Sequence, residues 1–507
     1  MSRGRRWVEV REGTGVFVRV FPGRYMGIRY RGRLVWIWDA FVFFNMSLDK
    51  AAKKHLGKTK VDVGSREFTP DRVEKEWDVI LTYCMEDARL TLELMLWLRE
   101  RCREMGFEPR VHYSPAAYAA EWFRQNGYVE NVASIWNAGD LGKKLLEYAW
   151  NAYRGGKFEL IWVGTVEEAW EYDINSAYPW AMSQLYALRG ARVIRSSMYM
   201  PDADYALIHA IIHIPPERYR PHPVGVWYNG VLVFPCGLFE AWITKDEYDY
   251  IADFAQIHIV DAFWIYTTKW RLYQDRVDTL YRLRRTEGPV RHLAKAMLNA
   301  FYGKLVQTVE TEDGYLEPGL LWNPIHAGVI TARVRAYVSQ IQDELGEYCL
   351  AVHTDSVLTR IPLRMELIGE GLGLWKLSQR GRYTGLRSGV YELGEKVATQ
   401  GYSNVKSWRE ELERNPDAGR LVVRAWRFRT WKEAAEAGDI DKANEQIWET
   451  RIVDWNRQQK RVLREKLTAR DLLERAIQTE PLYLFSFDLA VAYGRLLGVR
   501  EEEEVEL

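Results

Sequence analysis

Apolar and polar residues alternate from Phe17 to Phe44, with breaks at Gly23 and Arg31-Gly32-Arg33. That period of two predicts two or three strands. The period then lengthens. Ser47 to His55 reads as a helix with Ser47 as its cap and Gly57 as its stop. Glu74 to Met105 carries a long amphipathic helical pattern, broken once, and helices follow over Tyr113 to Gln125 and Leu141 to Ala152. Tyr153-Arg154-Gly155-Gly156 ends that run, because glycine reaches backbone angles that other residues avoid. Strands are predicted over Lys157 to Val163, Glu168 to Ile174 and Tyr205 to Ile214. Lys269 to Arg285 is helical, Pro289 opens the next helix, and Pro324 to Leu345 is a further long one. Tyr348 to Val352 and Val357 to Ile361 read as a hairpin turning at His353 to Ser356. After Gly401 the chain is charged and reads as mostly helical. Strands and helices in separate runs predict an α+β multidomain protein.

Length sets the scale: 507 residues make three or four domains of ~150 residues each. The 70 basic and 70 acidic side chains cancel, so net charge does not announce a polyanionic partner. Locally the balance breaks, with Arg282, Arg284, Arg285 and Arg291 crowded together. Glu501 to Glu504 read as a solvated acidic tail. Four scattered cysteines without a C-x-x-C pair speak against a zinc site or a disulfide framework and for a reducing compartment. No apolar stretch approaches ~18 residues, so a cytoplasmic protein without a membrane partner is expected. The 22 tryptophans are first of all packing residues; a few are candidates for stacking on bases.

Three stretches carry candidate chemistry. Asp173 ends an apolar strand and is followed by a turn, and Asp355 sits in the turn of a separate hairpin. Carboxylates from adjacent strands can hold a pair of Mg²⁺ ions, with Mn²⁺ as the alternative, for nucleotidyl transfer. Between them, Arg291, Lys295, Asn299 and Tyr302 share one helical face that suits a triphosphate. Gly303, having no side chain, allows close approach of a base pair. Tyr178 could lie under a sugar and clash with a 2′-hydroxyl. Taken singly, each has a plainer account: turn aspartates, a solvated basic face, a core tyrosine.

Together and in this order, D-x-x-S-x-Y-P from Asp173, K-x-x-x-N-x-x-Y-G from Lys295 and T-D-S ending at Ser356 resemble the three polymerase motifs of family B DNA polymerases. Tyr153-Arg154-Gly155-Gly156 resembles that family's Y-x-G-G link between exonuclease and polymerase domains, which contacts DNA. Asn175 leans toward the protein-primed branch found in phages and linear plasmids. The resemblance covers roughly Val35 to Gly401 and implies a right-hand fold. Its segments are a truncated, RNase H-like exonuclease remnant over 1–110, a helical connector over 111–160 and a palm with an insertion over 161–268. Fingers over 269–322, palm again over 323–400, and a thumb with an acidic tail over 401–507 complete it. The resemblance implies Asp173 and Asp355 as catalytic metal ligands. It implies Lys295, Asn299, Tyr302, Tyr178, Arg291 and Ser176 as nucleotide contacts, and Tyr153, Arg154, Gly155, Gly156, Gly303 and Tyr391 as DNA contacts. Implied partners are primer–template DNA and dNTPs, with a terminal protein primer and a separate exonuclease or processivity factor as further candidates. A viral or plasmid origin would place it in host cytoplasm.

The chain also departs from the pattern. His353 stands where an aspartate is usual, and histidine there could still serve as a weak ligand or hydrogen-bond donor. Ala300 and Ala177 replace the usual Ser and Leu, and the K-x-Y primer element reads Gly389-Val390-Tyr391, with Arg387 nearby. The span from Asp173 to Lys295 leaves room for an insertion like the first terminal-protein region; that from Gly303 to Asp355 leaves little for the second, so weak processivity and strand displacement are expected. Asp39 to Gly57 resembles the second half of an exonuclease domain, and Tyr83 to Asp87 its last motif, yet residues 1–38 contain no aspartate. Proofreading needs several acids around two metals, so no 3′→5′ exonuclease activity is expected. The rival reading is a catalytically weakened polymerase fold acting as a DNA-binding or scaffold factor. How synthesis is primed stays open.

Overall fold

The structure is a computed structural model. It describes residues 7–493 apart from 11–12, 22–24, 62–69, 111, 287–289, 311–314, 403–404, 431–432, 434–436, 439–441 and 443–444. The expected features at Gly23, Pro289 and Glu501 to Glu504 lie outside the described residues. The chain forms two compact units, and both are discontinuous in sequence. The first takes Met1–Ile135, Met182–Ala187 and Lys269–Asn323; the second takes Trp136–Ala181, Leu188–Thr268 and Pro324–Leu507. The stretch 111–160, expected as one connector, is thus divided after Ile135.

In the first unit the early alternation becomes a four-stranded antiparallel sheet, Val8–Glu9, Val16–Phe21, Tyr25–Tyr30 and Arg33–Trp38. Arg31 and Gly32 join its last two strands with φ of 47° and 73°. Such a two-residue turn needs positive φ at both positions, which explains the glycine. Ser47 caps the helix Leu48–Leu56 by accepting from the Lys50 N–H, and Gly57 ends it. The long amphipathic pattern is two helices, Pro70–Lys75 and Trp77–Glu104, broken at Glu76. Leu90, Leu94, Leu98 and Cys102 recur every four residues as the buried stripe of the second. Helices Pro115–Gln125, Gln274–Arg285 and Val290–Phe301 complete the unit. Phe123 stacks on Phe301 at 3.8 Å, and the buried Arg276 guanidinium donates to the carbonyls of Phe123 and Tyr128, each at 2.8 Å.

The second unit is built on an eight-stranded sheet. Its strands run in the order Lys396–Ala398, Val390–Leu393, Trp375–Arg387, Trp162–Ile174, Ser356–Thr359, Cys349–Thr354, Lys157–Leu160, with Ala476–Gln478 added alongside Trp162–Ile174. The helix Pro324–Leu345 packs on the central hairpin and is buried on nearly every side, as its apolar run demands. A second, five-stranded sheet comes mostly from residues 192–266 and has its own core around Ile208, Ile212, Ala262 and Trp264.

The strand Lys157–Leu160, at one end of the eight-stranded sheet, carries a buried ion group. Arg461 and Lys157 approach Glu159 at 3.2 and 3.5 Å, and all three side chains are nearly or wholly excluded from solvent. Lys157 also donates to the His222 carbonyl and the Ser339 hydroxyl. Burial pulls the Lys157 ammonium down to about 8 despite Glu159.

The region after Gly401, expected to be mostly helical, mixes short helices with a comparable share of strand among the described residues. Leu421–Phe428 pairs with Gln446–Val453 over their full length. In the first of these strands buried Leu421, Val423 and Ala425 alternate with exposed Val422 and Arg424, and that period of two outweighs the helix propensity of Arg and Glu.

Candidate active site

Asp173 is the penultimate residue of Trp162–Ile174, and Ser356 lies directly across from it on the neighbouring strand. The Ile174 N–H donates to the Asp355 carbonyl at 2.8 Å, which holds the two aspartates side by side. Asp355 ends a very tight turn: its N–H donates to the His353 carbonyl at 2.7 Å, and Thr354 between them has φ of 60°. That turn needs space. A Cβ on Gly156 would come within 2.6 Å of the Thr354 methyl and 3.0 Å of its Cα. The second glycine of Tyr153-Arg154-Gly155-Gly156 is therefore required by the hairpin itself, whereas a Cβ on Gly155 would meet nothing. Buried Arg335 fixes the same segment, donating to the carbonyls of Arg154 and Gly155 at 2.9 and 2.8 Å while paired with Glu247.

Electrostatics marks the pair. Burial, then the charge of Glu171, pushes the Asp173 carboxyl above its ordinary value. Burial, then the charge of Asp173, raises Asp355 to about 6. Two partly buried carboxylates that repel each other make a cation site. Among the described residues no cluster of three or more His, Cys, Asp or Glu side chains is arranged to hold a metal. Two carboxylates nonetheless fit Mg²⁺, which commonly keeps several waters and completes its shell with substrate phosphate oxygens.

Glu171 was missed by the motif reading, although it lies two residues before Asp173 and so faces the same side of the strand. It is almost fully buried, accepts from the Tyr391 hydroxyl at 2.8 Å and pairs with Lys396 at 2.7 Å. The alternation of Glu171 and Asp173 was the available signal. Tyr391 itself is corrected: it is 3% exposed within a fully buried strand, so its ring is not offered to a DNA strand. Its hydroxyl serves Glu171 instead. His353 is buried as well. Its ring lies between Phe158 (4.6 Å) and Tyr391 (4.9 Å), burial drives it down to about 3, and its Nε2 has no hydrogen-bond partner. The position holds a neutral, stacked imidazole.

Ser176 has φ of 52°, and its carbonyl accepts from the Trp180 N–H as the helix Ala177–Ser183 begins, carrying half-buried Tyr178. These residues belong with the carboxylates in the second unit. Arg291, Lys295, Asn299, Tyr302 and Gly303 belong to the first. Arg291, Lys295 and Asn299 are exposed on Val290–Phe301. The α-helix stops at Phe301, and Tyr302 opens a 3₁₀ turn, so the expected four-residue face is interrupted before its last member. Gly303 is exposed and has open space where a side chain would be.

The arrangement has solved counterparts. Phi29 DNA polymerase, complexed with primer–template DNA and incoming nucleotide substrates, is similar at a TM-score of 0.61 and 16% identity, over 85% of this chain and 83% of that one. An orthorhombic crystal form of Phi29 DNA polymerase is similar at a TM-score of 0.55 and 17% identity, covering 74% of this chain and 73% of that one. The fold is thus that of a DNA polymerase. Residues 65–317 match the family described as DNA polymerase type B, organellar and viral. A DNA polymerase of Acidianus bottle-shaped virus (isolate Italy/Pozzuoli) is 26% identical over 265 residues, which make up 48% of this chain and only 38% of that relative. The chain belongs to the type B DNA polymerases.

Proposed function

We propose that this chain is a DNA-directed DNA polymerase that adds dNTPs to a 3′ end with Mg²⁺ held by Asp173 and Asp355. The observation that carries this is the buried, mutually repelling aspartate pair on neighbouring strands. When bound, two divalent ions would activate the attacking hydroxyl and stabilise the leaving pyrophosphate. The protein's part is to hold both carboxylates in fixed register, with Glu171 and Lys396 setting the charge behind Asp173. Lys295, Asn299 and Arg291 supply the triphosphate contacts, with Tyr302, Ser176 and Tyr178 at the base and sugar. Tyr178 selects deoxynucleotides. Tyr153, Arg154, Gly155 and Gly303 follow the DNA strand. The segments 161–268 and 323–400 act as palm, 269–322 as fingers and the residues after Gly401 as thumb.

Primer extension with dNTPs and NTPs, on DNA and RNA templates, tests the reading. Incorporation of dNTPs on DNA is expected. Asp173→Ala and Asp355→Ala should each abolish it, and near-normal activity in either would sink the mechanism. Tight, salt-sensitive binding of primer–template without incorporation would instead favour a DNA-binding factor, the reading that neutral, buried His353 supports.

The N-terminal segment, in this proposal, does not proofread. Asp87 of the expected exonuclease motif is tied to Lys60 at 2.6 Å, and the same ammonium contacts the Tyr83 hydroxyl. Asp49 pairs with Lys53, and Asp39 accepts from the Phe41 N–H. These acids are engaged locally. Mg²⁺-dependent digestion of a mismatched primer that stops on Asp87→Ala would overturn this. The Phi29 likeness supports a protein-primed, viral or plasmid setting in host cytoplasm, with a terminal protein, a separate exonuclease and a processivity factor as candidate partners. The short span from Gly303 to Asp355 supports weak strand displacement; kilobase products without accessory proteins would refute it.

A further inference from the structure

The 28-residue helix Trp77–Glu104 carries two apolar stripes, and its own unit uses one of them. Leu90, Leu94, Leu98 and Cys102 are buried. Trp77, Leu81, Met85, Ala88, Leu92 and Leu96 are all exposed, from 43% at Leu81 to 64% at Met85 among the larger five. Their spacing keeps them within about a third of the helix circumference, in a row about 28 Å long. A continuous apolar row of this kind, rimmed by charge, is a surface that another molecule covers.

The order of the row says what that molecule is. The steps between its members are four, four, three, four and four residues, the same read from either end. Laid antiparallel on a copy of itself, the helix sets Trp77 against Leu96, Leu81 against Leu92 and Met85 against Ala88, and a two-fold axis repeats each contact. The small side chain of Ala88 leaves room for the long one of Met85 beside that axis. The four-residue steps are also the ridges that interlock where two helices cross. Charge selects the same direction. Exposed Glu74, in the short helix just before, and exposed Asp78 lie at one end of the row, and Arg99 and Arg103 lie at the other. Both arginines stay about half exposed, although Arg99 pairs with Glu108 and Arg103 with Glu100. An antiparallel pair sets the acids of one copy against the arginines of the other, whereas a parallel pair would bring the arginines of both copies together.

We propose that this row is the contact between two copies of the chain, joined as an antiparallel helix pair whose two-fold axis passes between Met85 and Ala88. The proposal is independent of the aspartate chemistry. It gives the N-terminal segment, which has no editing role in our reading, the work of assembly. One helix per copy makes a small interface, at the weak end of specific ones, so the dimer forms in the micromolar range.

Sedimentation velocity of the full-length chain over a concentration series tests it, and a monomer–dimer equilibrium is expected. Leu81→Glu and Leu92→Glu should each weaken the dimer about tenfold or more. Neither should lower the unfolding temperature, because both side chains face solvent. Trp227→Glu, at a side chain 60% exposed in the second unit, should leave association unchanged. Asp78→Arg should weaken the dimer, and Arg99→Asp added to it should recover association, since the two positions meet only across an antiparallel pair. A wild-type chain that stays monomeric throughout the series would overturn the proposal. So would a dimer that Leu92→Glu leaves intact, or a monomeric chain that uses this face to hold a different protein. Asp173→Asn should lose incorporation and dimerise as the wild type does, so a failure of the polymerase reading leaves the interface standing.

Discussion

Asp355 and Asp87 are both aspartates that the family pattern assigns to metal-dependent chemistry, and their surroundings have diverged. Asp355 is pressed against a second carboxylate in a partly buried turn, and its proton is held up to about 6. Asp87 lies on an amphipathic helix with Lys60 at 2.6 Å. The first arrangement stores unfavourable charge that a cation would relieve; the second has already relieved it from within the chain. A carboxylate at the right motif position is therefore weak evidence of a metal site. What its charge meets in the fold is stronger evidence.

The largest expected effect is on catalysis. Asp173→Ala or Asp355→Ala should lower dNTP incorporation by roughly a thousandfold or more, while Asp87→Ala changes neither synthesis nor primer degradation, measured on one mismatched primer. Loss of synthesis on Asp87→Ala would dissolve the contrast. A smaller effect concerns stability. Without metal, Asp355→Asn should unfold later than the wild type, by on the order of 2 kcal/mol at pH 7. The sign follows from the raised value: the folded state keeps the Asp355 proton up to about 6, the unfolded state releases it near 3.8. Wild-type stability therefore falls as pH rises through that window. The asparagine advantage should be full above pH 6, absent below about pH 4, and erased by added Mg²⁺ at neutral pH. Thermal unfolding across pH with and without the ion measures all three. The smallest effect lies at Asp87. Lys60→Ala should cost about 1 kcal/mol or less, since both partners are partly exposed, and Mg²⁺ should not restore it.

What was legible along the chain, and what was not, is a matter of range. Periodicity found the helix Pro324–Leu345 and placed the hairpin that turns at Asp355, because i to i+4 burial and a tight turn are local. The Ser47 cap and the Gly57 stop were legible for the same reason. The strands beyond Gly401 were not, because Leu421, Val423 and Ala425 form one buried row only once their strand pairs with Gln446–Val453. Around the site, Glu171 and Tyr391 meet across 220 residues of sequence, and no window spans that distance.

The contact between Gly156 and Thr354 makes two distant motifs a single unit of inheritance. Gly156 cannot gain a side chain while Thr354 keeps its own. Any side chain acquired at the linker must be matched by a loss at the hairpin tip, so Gly156→Ala should be a damaging change whose natural suppressor is Thr354→Gly. That glycine would also accept the positive φ that threonine there endures. Relatives that carry a side chain at the position of Gly156 should therefore carry a smaller residue at that of Thr354.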